Sequence, residues 1–167
     1  SGKSTVVNLI PRFYDASAGQ VCFFGQDVRK YRRKELRNQI GIVPQKAVLF
    51  AGTVRENMQW GKKDATDEEI WEALKTAQAE AFIRAKEGGL DANIEQGGRN
   101  LSGGQRQRLT IARALVKKPR VLILDDSASA LDYATDAALR KAIRQMEGAP
   151  TVFIVSQRTS SLMSADR

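Results

Sequence analysis

Leu101-Ser102-Gly103-Gly104-Gln105 constrains this chain more than any other stretch. Ser102 can cap a helix, and Gln105, three residues on, completes a capping box for the amphipathic run 106–116. Helix stability alone does not account for the pentapeptide, because each glycine costs about 1 kcal/mol of propensity against alanine. Two consecutive glycines let backbone N–H groups approach a ligand closely at the positive end of a helix, and the Ser102 hydroxyl adds a donor. The guest that suits this arrangement is a phosphate.

A second phosphate motif opens the chain. Ser1-Gly2-Lys3-Ser4-Thr5 is the back half of the G-x-x-x-x-G-K-[ST] loop, whose leading glycine and preceding strand are not in the sequence. Lys3 is placed to reach β and γ phosphates, the backbone around Gly2 to cradle them, and the Ser4 hydroxyl to ligate Mg²⁺. Val6, Val7, Leu9 and Ile10 predict a helix buried against a sheet, which Pro11 kinks or ends. Residues 20–24 read as a strand closed by the turn residues Gly25-Gln26-Asp27, with Cys22 buried in it. Ile40-Gly41-Ile42-Val43 reads as another strand, running into Pro44-Gln45. On the carboxyl edge of an α/β sheet, Gln45 can touch Mg²⁺ and an attacking water; taken alone, it is as well explained as a turn-capping amide.

Thr66-Asp67-Glu68-Glu69 is a further capping box, followed by Ile70, Trp71, Leu74 and Ala77 at helical spacing. Val121-Leu122-Ile123-Leu124-Asp125-Asp126 reads as a central parallel strand ending in two carboxylates, which are costly to bury without a cation nearby and so point to a metal site. A helix over 133–146 is ended by Gly148 and Pro150, and a last strand, Thr151 to Val155, runs into Ser156-Gln157-Arg158.

Composition narrows the chemistry. With 167 residues and 42% hydrophobic content the chain suits one globular domain. No apolar run approaches the ~18 residues of a membrane span, and no leader peptide is visible, so this segment is expected to be soluble. The absence of histidine excludes imidazole catalysis and His-ligated metals within this sequence. A net charge of +8 suits nucleic acid, an anionic membrane face or a polyphosphate. The local cluster Arg29, Lys30, Arg32, Arg33, Lys34 and Arg37 reads either as a solvated basic surface or as a contact for phospholipid headgroups or an acidic neighbour.

These motifs, in this order, resemble the ATP-binding domains of ATP-binding cassette (ABC) proteins over nearly the whole chain. The resemblance implies an α/β P-loop NTPase with a mainly parallel sheet plus an ABC-type helical subdomain. Residues 1–45 and 106–167 would form the RecA-like core and about 46–105 the helical subdomain facing a transmembrane partner. ATP and Mg²⁺ are the expected cofactors. Ser1, Gly2, Lys3, Ser4 and Thr5 would bind nucleotide with Gln45, which matches the Q-loop; Ser102, Gly103, Gly104 and Gln105 form the signature. Asp125 matches the Walker B aspartate and would hold Mg²⁺ with Ser4 and Gln45. Ser129-Ala130-Leu131-Asp132 matches the D-loop, which in this family crosses to the other subunit and adds Asp132 to the nucleotide contacts. Leu49 to Asn57, and Glu95-Gln96-Gly97-Gly98-Arg99, resemble exporter sequences, implying a domain at the cytoplasmic face of the cell membrane that drives export of drugs or lipids. Six membrane spans and an adenine-stacking aromatic are expected upstream of Ser1, and residues 1–167 alone are expected to bind nucleotide weakly.

Two positions depart from the family pattern. Asp126 stands where a glutamate usually polarises the attacking water, and Gln157 where a histidine usually contacts the γ-phosphate. With Gln45 they are the candidate catalytic residues. Aspartate withdraws the carboxylate by about 1–1.5 Å, and a misplacement of about 1 Å can cost a hundredfold in rate. Gln157 can donate a hydrogen bond but cannot carry charge or shuttle a proton as imidazole does. The pair resembles the degenerate subunit of bacterial heterodimeric multidrug exporters, in a head-to-tail dimer whose partner domain hydrolyses ATP; a slow homodimer is the alternative. A soluble ABC ATPase acting on nucleic acid and a non-catalytic nucleotide clamp are further readings, and nucleic acid is not the expected partner.

Overall fold

The computed structural model describes residues 2–163 and 165–166. In chain order the elements are α1 (Lys3–Val7), β1 (Cys22–Phe23), β2 (Gln26–Asp27), α2 (Arg33–Asn38), β3 (Ile40–Val43), β4 (Gly52–Thr53), α3 (Val54–Gln59) and α4 (Asp67–Thr76). There follow α5 (Glu80–Arg84), β5 (Asn93–Ile94), α6 (Gly103–Leu115), β6 (Val121–Asp125), α7 (Tyr133–Arg144), β7 (Thr151–Val155) and α8 (Thr159–Leu162).

The central sheet is parallel, in the order β3-β6-β7, with Ile40 opposite Val121 and Val121 opposite Thr151. Its middle strand is closed to water on both faces: Val121 to Leu124 are all buried, as a continuous apolar run predicts. The two-residue period of the strand divides that run between two cores. Leu122 and Leu124 join the larger core with Leu74, Leu109, Ile111, Leu139 and Ile143, while Val121 and Ile123 join Val7, Phe23, Val28, Leu36 and Ile40. Parallel pairing aligns the carboxyl ends of the three strands, so Gln45, Asp126 and Gln157 all follow strands on one edge of the sheet.

Among the described residues three helices begin with reciprocal capping boxes: Thr53 with Glu56, Thr66 with Glu69, and Ser102 with Gln105. Sequence reading identifies the last two; the first carries the same T-x-x-E signature and opens α3. Helix α6 packs on α3 and α4 and also on β3. That close approach needs Gly41, where a Cβ would lie 3.0 Å from the Ala114 carbonyl oxygen. Gly61 is tighter: its Cβ would stand 2.1 Å from the Arg113 carbonyl oxygen and 2.8 Å from Val116 Cγ1. Gly61→Ala should therefore destabilise the domain by about 2–3 kcal/mol, roughly 5–10 °C in Tm. Thermal unfolding of the protein checks this, and an unchanged Tm would mean that α3 and α6 can separate freely.

The chain between α1 and α2 differs from expectation. Helix α1 ends at Val7, four residues before Pro11, and the strand expected over 20–24 is only Cys22–Phe23, paired antiparallel with Gln26–Asp27. Phe23 takes the core side, Phe24 turns at φ 47°, and Cys22 is exposed rather than buried. A run of four apolar residues cannot all face inward on a two-residue strand at the surface. Helix α7 likewise stops at Arg144, two residues short of Met146.

Candidate nucleotide site

The first turn of α1 meets the end of β6. Ser4 Oγ donates to Asp125 Oδ1 at 3.1 Å, joining residues 121 positions apart. Both side chains are half-buried, whereas Gly2, Lys3 and Thr5 are exposed beside them. Nothing lies within 4 Å of a Cβ position on Gly2, so the loop backbone is open to a ligand. Ser1 lies outside the described residues.

The second carboxylate is aimed by a backbone turn. In a continued strand Asp125 and Asp126 would point to opposite faces. Asp126 instead has φ 47°, a left-handed conformation that aspartate tolerates better than most residues. Its N–H still bonds the Val155 carbonyl at 2.7 Å, and its Oδ2 accepts a long hydrogen bond from Gln45 Nε2, 3.4 Å. Gln45, Ser4, Asp125 and Asp126 thus gather where β3 and β6 end. Gln157 is exposed just past β7, the third strand of that edge.

A hydroxyl and a carboxylate in contact are the donors Mg²⁺ takes from proteins when phosphate oxygens and water complete its shell. Among the described residues no three His, Cys, Asp or Glu side chains cluster as a metal site.

Ser102 and Gln105 bond each other. Ser102 Oγ accepts from the Gln105 N–H at 3.1 Å, and Gln105 Oε1 accepts from the Ser102 N–H at 3.0 Å. The Gln105 amide is therefore turned back on the helix start, while Ser102 and Gly103 are exposed. Gly104 has a packing reason that the sequence did not show: a Cβ there would come within 3.2 Å of the Ala130 carbonyl oxygen. Asp132 caps α7, accepting from the Thr135 N–H and hydroxyl, both at 2.8 Å. Those bonds, the backbone one first, hold its carboxyl below the usual aspartate range. The contribution of this cap to folding is present above about pH 4 and is lost as pH falls through the lowered value.

Arg158 was missed from the sequence. Its guanidinium donates to the carbonyls of Ala128, Ser129 and Leu131, roughly thirty residues away. No local pattern announces such a bond, since a lone arginine after a strand reads as surface charge.

Comparison with known proteins places these contacts in context. A profile of the ABC transporter family matches residues 1–129. An ABC transporter ATP-binding protein of Mycobacterium tuberculosis is 46% identical over 170 residues, covering 100% of this chain and 29% of the relative. A putative multidrug export ATP-binding/permease protein of Bacillus subtilis is 45% identical over 166 residues, covering 99% of this chain and 29% of its own length. A bacterial Atm1-family ABC exporter solved with ATP bound superposes with a TM-score of 0.92 at 36% identity, covering 99% of this chain and 29% of that one. The chain thus spans 29% of the length of these relatives.

Proposed function

The chain belongs to the ABC transporter family, as an exporter-type ATP-binding domain of P-loop fold, and from that premise we propose that its ATP binding and hydrolysis power export by a longer membrane protein. The observation that carries the reading is the meeting of Ser4 with Asp125 and of Gln45 with Asp126 at one sheet edge. Lys3 binds the β and γ phosphates, and Ser4 and Asp125 hold Mg²⁺. The ion, when bound, neutralises charge on the phosphate oxygens. Asp126 orients water, Gln45 holds the Asp126 carboxylate, and Gln157 donates a hydrogen bond to the γ-phosphate.

Residues 1–45 and 106–167 act as the nucleotide-binding core and 46–105 as the helical subdomain. We assign the contact with a transmembrane partner to a cavity of about 320 Å³ lined by Phe50, Trp60, Arg113 and Lys117. Trp60 is 69% exposed and lies against Phe50, ring centroids 4.9 Å apart and tilted by 37°, an apolar patch that suits a partner surface. Among the described residues no helix is long and apolar enough to cross a membrane, so the spans that the relatives' permease names imply belong to another segment.

The domain works in a head-to-tail dimer with a second, different ATP-binding domain. Its own site is slow, because Asp126 is short and Gln157 is uncharged, whereas Ser102, Gly103 and Gly104 complete the partner's faster site. Mg-ATP hydrolysis by the complete protein purified without a partner tests this. The expected result is tight nucleotide binding with turnover well below the ordinary 1 s⁻¹ lower range of enzymes. Brisk hydrolysis would instead identify a self-sufficient homodimer, and salt-sensitive binding to DNA or RNA would favour a nucleic-acid role.

A further inference from the structure

The turn between β6 and α7 is held from outside rather than by its own preferences. It opens with Asp126 at φ 47°, and the buried Ser127 hydroxyl has no hydrogen-bond partner among the described residues. Such conformations persist only where neighbouring contacts over-determine them. Within it, Ser129 N–H bonds Asp126 O at 3.3 Å and Leu131 N–H bonds Ala128 O at 3.0 Å.

Besides the Asp126 N–H bond to the Val155 carbonyl, Arg158 supplies three outside contacts. Nη1 donates to the Ala128 and Leu131 carbonyls, both at 3.3 Å, and Nη2 donates to the Ser129 carbonyl at 2.7 Å. The Arg158 N–H in turn bonds Ser156 Oγ at 3.0 Å, which fixes the loop that carries Gln157. A planar guanidinium reaching three carbonyls specifies the relative position of two loops as a single-point cation cannot. On the far side of the turn, Ala130 O lies against Gly104 in the first turn of α6. The path Gln157, Arg158, residues 128–131, Gly104 is therefore one of contiguous contacts.

We propose that Arg158 is a positioning residue that ties the Gln157 loop to the 126–132 turn, so that a phosphate engaged by Gln157 is registered at Gly104 and hence at the Ser102 helix terminus. The inference rests on the nucleotide site proposed above and adds a route from that site to the signature. Its role is geometric: Arg158 is exposed, so its loss should cost little folding stability.

Hydrogen–deuterium exchange on the full-length protein tests it, with wild type, Arg158→Met and Arg158→Lys compared with and without a non-hydrolysable ATP analogue and Mg²⁺. Without nucleotide, residues 127–132 should exchange about tenfold faster in Arg158→Met, with Arg158→Lys intermediate and α6 and β3 unchanged. With the analogue, wild type should gain about fivefold or more protection at the phosphate loop and at 101–106; Arg158→Met should keep the first and lose the second. Equal responses at 101–106 in wild type and Arg158→Met overturn the proposal alone. So does acceleration spread evenly over α6, β6 and α7, which marks a purely structural role. Absence of protection at the wild-type phosphate loop overturns the nucleotide reading and the proposal with it.

Discussion

Lys3→Ala in the full-length protein is expected to weaken Mg-ATP binding by about 10- to 150-fold, the range of a hydrogen bond to a charged group worth 1.5–3 kcal/mol. Lys3 stands exposed in the first turn of α1, beside the open backbone of Gly2 and one residue from the Ser4–Asp125 contact. Removing it takes no packing from Val7, the buried residue of α1, so the nucleotide-free Tm should shift by less than about 1 °C. Calorimetric titration and thermal unfolding of the same preparation separate the two effects. Unchanged affinity would remove phosphate binding from this loop, and with it the nucleotide site. A large fall in Tm would instead give Lys3 a structural role that its exposure does not explain.

Restoring the family residues at both departures should accelerate the protein's own site. Asp126→Glu with Gln157→His is expected to raise Mg-ATP turnover by about 10- to 100-fold, the inverse of what a carboxylate misplaced by about 1 Å and a lost imidazole can cost. The gain carries a cost at position 126. Its backbone sits at φ 47°, where a longer side chain is about 1 kcal/mol less at ease than aspartate. A slightly lower Tm should therefore accompany the faster rate. The long bond from Gln45, 3.4 Å to Asp126, also has room to shorten when the carboxylate reaches further. Phosphate-release assays on the purified protein decide the matter. If the double variant is no faster than wild type, Asp126 and Gln157 do not limit turnover, and the slow-site reading falls.

Much of this was legible in the sequence because it depends on short-range rules. The Ser102–Gln105 and Thr66–Glu69 boxes follow from side chains three residues apart, and α6 and α4 start where those pairs place them. The run from Val121 to Leu124 announced a strand buried on both faces, and the other two strands of the central sheet end where Pro44 and Ser156 place them. The segment between α1 and α2 was harder. Local hydrophobicity could not say that only Phe23 of the residues 21–24 reaches full burial, because the two-residue strand has core on one side only.

From the sequence by itself came the expectation of polyphosphate and Mg²⁺ at Lys3, Ser4, Asp125 and the capped glycines Gly103 and Gly104, because it rests on residue types and short spacings. From it, too, came the expectation that Asp126 and Gln157 depart from the family's usual residues, since such a change is one of atoms. Only the tertiary structure decided which of these groups touch. Ser4 meets Asp125 across 121 residues and Gln45 meets Asp126 across 81, because parallel pairing of β3, β6 and β7 aligns three strand ends. It likewise gave Gly104 a packing reason against Ala130 O and joined Arg158 to three carbonyls. Backbone carbonyls carry no residue identity, so bonds made to them leave no trace in the sequence until the chain has brought them together.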